Sequence, residues 1–405
     1  VGAENIYSGK QYIFVLWRDG TSTDKFRRYD VETGRWEVLR SPSDNGLPYV
    51  RSGVAMCWDN GNYLYVLAGD VYDGENRWFY RYNIAENYWE VLENTPIGQG
   101  PGQTIVWYEN SDGEFLFAWI GTTSVNESSE GRRSEFWRFN LQTMTWDENL
   151  WHVDGYGSSG STGTIPYGSD DGSTLVWAGE ENYLYYLVGA YNEGLTAPEE
   201  SHFLRYNIKT NEWEHLAPVP YNGDPTGENG VDDGGSLVWA GGLFLYATKG
   251  GDGNGDLDAD NFYRFDIIEN RWENMPWLPE PLAGGYAGLR LGAIGGKVYY
   301  WRGYATTGFW VFEPEYHASG RFTSRIFDAA QVVTWDNLTW SATTPSFVVQ
   351  ENDNVGAEPE TLVDGEQRIG LLQQNDYGAT KEMDGNYEVI AENGPGQTWT
   401  QTAWP

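Results

Sequence analysis

A five-residue phrase recurs along this chain, and its spacing limits the available folds more than any other feature. It runs from Phe26 to Asp30 (FRRYD), Phe79 to Asn83 (FYRYN), Phe136 to Asn140 (FWRFN), Phe203 to Asn207 (FLRYN), Phe262 to Asp266 (FYRFD) and, in degenerate form, Phe309 to Glu313 (FWVFE). The first five copies are followed by a tight turn and a Trp-acid pair: Trp36-Glu37, Trp89-Glu90, Trp146-Asp147, Trp213-Glu214 and Trp272-Glu273. Those tryptophans stand 53, 57, 67 and 59 residues apart. Ahead of each phrase lies a glycine-ended apolar stretch, as in Tyr63 to Gly69, Phe115 to Gly121, Tyr183 to Gly189 and Phe244 to Gly250, with weaker copies from Tyr12 to Trp17 and Val298 to Gly303. Another apolar stretch precedes that one, as in Gly53 to Trp58 and Thr104 to Glu109. Each unit thus holds four short strands in meander order, which is one blade of a β-propeller, and six copies predict six blades.

The repeat explains its own arginines. Arg28 and Glu37, Arg81 and Glu90, Arg138 and Asp147, Arg205 and Glu214, and Arg264 and Glu273 are each nine residues apart. A four-residue turn such as Val31 to Gly34 sets the two members of each pair opposite one another across a hairpin. Five cross-strand ion pairs are expected, each contributing about 0.2–1 kcal/mol. A residue repeated five times around a ring serves the ring, so no one arginine is a functional candidate. The tryptophans are expected to join blade to blade.

With its glycine-ended second strand, Tyr-Asp pair and downstream Trp, the sequence resembles the kelch family over residues 1 to about 316. The resemblance implies a six-bladed kelch-like β-propeller and is silent on activity, because one fold hosts many functions. Blade six departs from the pattern: Val311 replaces the Arg and no Trp-acid strand follows Pro314. Ala3 to Ser8 reads as the inner strand of blade one, so it cannot also serve blade six. The sixth blade is therefore expected to have three strands and an open edge.

Residues 317–405 are expected to form a separate small C-terminal β-sandwich, making the whole chain all-β. The run Gly320 to Asp328, then Val333-Thr334-Trp335, then Leu338 to Pro345, resembles short β-sandwich modules of prokaryotic surface and cell-wall proteins. An acidic stretch from Glu351 to Glu360 follows where such modules usually continue into a strand. The last strand, around Thr398 to Gln401, either folds into this domain or pairs with another subunit by strand addition.

In a propeller, the loops joining second to third strands and those joining one blade to the next emerge on one face. Here both sets include the long ones, such as Gly121 to Glu135, Leu150 to Gly172, Gly189 to His202 and Ala217 to Gly235, so this face is the expected site. It carries Asp70, Asp73, Glu75, Asp154, Asp170, Asp171, Asp224, Asp232 and Asp233, with tyrosines such as Tyr72, Tyr156, Tyr167, Tyr191 and Tyr221 that suit stacking on sugars. In Asp252, Asn254, Asp256, Asp258 and Asp260, oxygen-bearing side chains alternate with Gly253, Gly255, Leu257 and Ala259. Such spacing suits Ca²⁺, which takes six to eight oxygens, and the competing reading is a plain solvated acidic loop. A full EF-hand pattern is absent.

Several functional classes are disfavoured. A net charge of -34 opposes binding to nucleic acid. The four histidines, His152, His202, His215 and His317, lack metal-ligand spacing in sequence, and Cys57 is the single cysteine, expected to be a buried apolar residue. No organic cofactor is implied, since no nucleophile elbow, Walker loop or dinucleotide fingerprint occurs. No apolar run is long enough to span a membrane, no charged-then-apolar leader opens the chain, and the start at Val1 suggests a processed or trimmed product. The sequons at Asn126 and Asn337 add little, since such short motifs arise by chance. The expectation is a non-enzymatic extracellular structural or adhesive protein of the cell surface, its partner either itself in a filament or layer, or a surface glycan. The alternative is a glycan-binding or glycan-cleaving propeller.

Overall fold

Tight four-residue turns define the blades. Each closes a hairpin between third and fourth strands and needs one left-handed residue, supplied by Gly34 (φ 67°), Asn87 (φ 54°), Asn211 (φ 57°) and Asn270 (φ 50°). Glycine and asparagine adopt that conformation at low cost. In blade three the position is Met144, at φ 59°. Met144→Asn is therefore expected to stabilise the protein by about 1 kcal/mol. A raised denaturant midpoint with an unchanged m-value would show this, and an unchanged or lower midpoint would contradict it.

The computed structural model describes residues 1–18, 24–51, 53–69, 76–100, 102–122, 133–154, 172–180, 182–189, 202–220, 231, 234–250, 261–279, 290–302, 308–314, 321–323, 349–352, 368–371, 381–383, 387–390 and 399–401. Blade one comprises β1 (Gly2–Asn5), β2 (Lys10–Arg18), β3 (Asp24–Asp30) and β4 (Arg35–Leu39). Blade two has β5 (Ala55–Trp58), β6 (Tyr63–Leu67), β7 (Phe79–Asn83) and β8 (Tyr88–Val91), and blade three β9 (Thr104–Asn110), β10 (Gly113–Thr122), β11 (Arg133–Asn140) and β12 (Thr145–Asp154). Blade four has β13 (Thr174–Trp177), β14 (Tyr183–Leu187), β15 (Phe203–Asn207) and β16 (Glu212–His215). Blade five has β17 (Ser236–Trp239), β18 (Phe244–Thr248), β19 (Phe262–Asp266) and β20 (Arg271–Asn274). Blade six begins with β21 (Arg290–Ile294), β22 (Lys297–Trp301) and β23 (Phe309–Phe312). Five further strands follow, β24 (Arg321–Thr323), β25 (Val349–Asn352), β26 (Arg368–Leu371), β27 (Lys381–Met383) and β28 (Tyr387–Ile390), before β29 (Trp399–Gln401). The result is all-β, with a six-bladed β-propeller of four-stranded antiparallel sheets.

Blade six corrects the sequence reading. Its sheet runs β21-β22-β23-β29, so the edge expected to be open is filled by the chain's own last strand. Trp310, Val311 and Phe312 lie opposite Gln401, Thr400 and Trp399. The chain divides into a unit of Val1–Phe312 with Trp399–Pro405 and a second unit of Glu313–Thr398. The expected boundary at 316 and 317 thus becomes an insertion: the second unit occupies the place of blade six's hairpin turn. Loop-closure entropy grows by only about 0.6 kcal/mol per doubling of loop length, which lets so long a segment replace four residues. Within that unit the described strands form a three-stranded sheet, β24-β28-β27, and a two-stranded sheet, β25-β26.

A triad of side chains repeats with the blades. Arg28 lies 4.4 Å over the Tyr12 ring and 2.7 Å from Glu37. Arg264 lies 4.5 Å over Phe244 and 2.6 Å from Glu273. Arg81 and Arg205 bridge Tyr63 to Glu90 and Tyr183 to Glu214 in the same way. Blade three carries a β-bulge that sets Arg138 opposite Glu148, and its guanidinium contacts Asp147 at 3.1 Å and Glu148 at 2.9 Å. In blade six the corresponding positions hold Lys297, Val311 and Thr400, so all three members change together.

The tryptophans fasten the ring. Trp89 packs on Phe26 of the preceding blade (ring centres 5.1 Å apart), Trp146 on Phe79 (5.2 Å), Trp213 on Phe136 (5.2 Å) and Trp272 on Phe203 (5.0 Å). Trp36 of blade one closes the circle on Phe309 of blade six at 4.9 Å. Each contact joins the phrase of one blade to the Trp of the next. Gly2 allows the same closure at the inner strands, where an added Cβ would lie 1.9 Å from the Ala293 carbonyl oxygen. Among the described residues, no helix is long and apolar enough to cross a membrane.

Candidate functional site

Strand alternation sends the second-to-third-strand loops and the blade-to-blade loops to one end of the ring. Buried polar groups hold the bases of these loops. In blade one, Asp24 is 2% exposed and accepts hydrogen bonds from the backbone nitrogens of Ser43 (3.2 Å) and Val50 (3.1 Å) and from the Ser43 hydroxyl. Blade two uses amides: Gln99 accepts from Gly69 N at 2.8 Å and donates to the Trp78 carbonyl at 2.8 Å, and Asn76 accepts from Trp78 N at 3.0 Å. Gln103 donates to Gln99 Oε1 at 3.3 Å, while its own Oε1 is buried without a protein partner.

In blade three the fully buried Glu135 accepts from the Trp137 indole N–H at 2.6 Å. In blade four Ser173 Oγ accepts from Gly189 N at 2.9 Å. In blade five the buried Lys249 ammonium lies 3.5 Å from the Pro220 carbonyl oxygen. Hydroxyls also stitch inner strands together, with Leu175 N donating to Thr104 Oγ1 at 2.9 Å and Leu291 N to Ser236 Oγ at 3.1 Å. These groups hold the described bases of the loops in place.

Most sequence-selected residues lie outside the described residues: Asp252, Asn254, Asp256, Asp258 and Asp260, the acidic positions 70, 73, 75, 170, 171, 224, 232 and 233, the five loop tyrosines, His317 and both sequons. Asp154 ends β12 opposite Arg133. Gly172 and Gly234, directly after the two Asp-Asp pairs, take φ of 83° and 86°, as turn residues leading into inner strands do. Among the described residues, no group of three or more His, Cys, Asp or Glu side chains is placed to hold a metal ion.

Cys57 is buried in the apolar interior, 6% exposed, and burial pushes its thiol well up. The histidines, scattered in sequence, are partly brought together: the rings of His202 and His215 lie 5.7 Å apart. The hairpin register that pairs Arg205 with Glu214 also places Leu204 opposite His215, and His202 shares that face. That register was the signal available in the sequence.

One carboxyl on the opposite, short-turn end is electrostatically unusual. Asp59 accepts from Gly61 N at 2.8 Å and Tyr63 N at 3.1 Å in the β5–β6 turn, yet burial raises its pKa to about 6. A folded-state value above the ordinary 3.8 means stability is lost as pH rises from about 4 to about 6, because folding then opposes ionisation. Asp59→Asn keeps the oxygen acceptor and removes the charge. Its stability should match that of the parent below pH 4 and exceed it above pH 6. Parallel curves across that range would contradict this.

Compared with models of known protein families and with curated proteins, the chain matches none. The fold itself is a six-bladed β-propeller.

Proposed function

We propose that this protein is a non-enzymatic extracellular structural or adhesive component of a cell surface, built on a kelch-like propeller that carries an inserted surface-type β-module. The observation that supports this best is the splice itself. Glu313–Thr398 leaves from β23 and returns into β29, its hydrogen-bonded neighbour. Both ends of the inserted segment thus join neighbouring strands of one sheet, about 4.8 Å apart, instead of the segment trailing from a single end. The acidic surface keeps such a protein soluble outside a cell. Its partner in this reading is another copy of itself, in a filament or layer, and Ca²⁺ bound by Asp252, Asn254, Asp256, Asp258 and Asp260 stiffens the loop face. With β23 covered in cis, assembly uses surfaces other than blade six's outer edge.

Electron microscopy of the native material with and without a calcium chelator tests this reading. Ordered filaments or sheets that loosen on chelation are expected. Dispersed monomers in both conditions would overturn it. The glycan-binding alternative draws on Trp277, 69% exposed between Pro276 and Pro279 in the segment after β20, where an indole face is free to stack on a sugar. Glycan binding that disappears in Trp277→Ala would favour that alternative.

A further inference from the structure

We infer that His202 and His215 form a binding site for a divalent transition-metal ion of the zinc class on the outer half of blade four. Two imidazoles bound to one tetrahedral ion at about 2.0–2.1 Å per bond have ring centres about 5 to 6 Å apart. The observed separation is 5.7 Å, with ring planes inclined by 54°. The rings are thus spaced as two ligands of one ion would be.

The backbone beneath the rings is fixed on both sides. His202 O accepts from Val188 N at 3.1 Å, and Leu216 N, next to His215, donates to Phe203 O at 2.9 Å. His215 is exposed and His202 half-buried, so an ion can reach the pair from solvent. Burial, assisted by the neighbouring His215, lowers the His202 pKa to about 4. Neutral nitrogen donors select zinc, copper or nickel ions over calcium, which prefers oxygen. The net charge of -34 raises the local concentration of any cation. Two protein ligands leave positions open for water or for a ligand from outside.

The test is calorimetric titration of the full chain with zinc chloride in excess calcium, which occupies carboxylate sites. One zinc site per chain is expected, weakened at least tenfold in His202→Ala and in His215→Gln separately and unchanged in His317→Ala. Because His215 is exposed on an outer strand, His215→Gln should keep the parent's circular dichroism and melting curve. Ring proton shifts of both histidines on zinc addition, seen by NMR, would locate the ion without any substitution. Zinc binding that survives both substitutions, or unmoved ring signals, would overturn the inference. This site is independent of the surface-protein reading: filaments lost on calcium chelation bear on that reading alone.

Discussion

Trp399→Ala is expected to destabilise the propeller about as much as Trp89→Ala, for which the loss of a buried Trp should cost about 3–5 kcal/mol. Trp89 is 5% exposed, lies opposite Tyr82, and packs on Phe26 of the blade before it. Trp399 lies opposite Phe312, which holds the position of Tyr82 in its own blade. Trp277→Ala is the control, because at 69% exposure its loss should fall within about 0.5 kcal/mol. Deleting Trp399–Pro405 should be more severe still, since it uncovers the whole outer edge of β23. Thermal unfolding of the four variants decides the matter: if Trp399→Ala behaves like Trp277→Ala, β29 does not hold the ring.

The second large effect concerns the triads. Arg264→Ala should cost about 3 kcal/mol or more, because it strands the Glu273 carboxylate in a site where both side chains are mostly buried, 8% and 19% exposed. Arg271, 2.6 Å from the same carboxylate, softens this loss without removing it. Arg28→Ala should cost only about 1 kcal/mol, because Glu37 is 57% exposed and regains water. Blade six shows how the fold does without the pair, with Val311 opposite Thr400. Arg264→Val combined with Glu273→Thr copies that solution and should be more stable than Arg264→Val alone. Equal losses for Arg264→Ala and Arg28→Ala would show that burial does not set the strength of these pairs.

The blades were legible because their signals are local and repeated. A nine-residue spacing between Arg and acid fixes a hairpin register, and five copies agree. Blade six's outer strand was hidden for a physical reason. Its partner carries Val311 instead of Arg, so nothing requires an acid after the Trp, and Trp399-Thr400-Gln401 lacks the charged half of the motif. Its distance from β23 then made a separate domain the natural reading. The bulge at Arg138 was invisible too, because an extra residue in β12 leaves the Arg-to-acid count unchanged. The face carrying the long loops could be located by strand alternation alone. The His202–His215 pair was missed because metal-ligand spacing was sought along the chain rather than across a hairpin.

The central claim is that the chain closes its own sixth blade around an inserted module. Val311→Cys with Thr400→Cys tests it most directly. The two positions are paired across β23 and β29, where opposed Cα atoms lie about 4.5–5.5 Å apart, within disulfide range. Buried Cys57 stays out of the reaction. After mild oxidation, a non-reducing gel and peptide mass analysis should show an intrachain 311–400 disulfide in a monomer. Covalent dimers or ladders joined through the same two positions would show that the strand is donated between molecules, and no disulfide at all would show that β29 does not pair with β23.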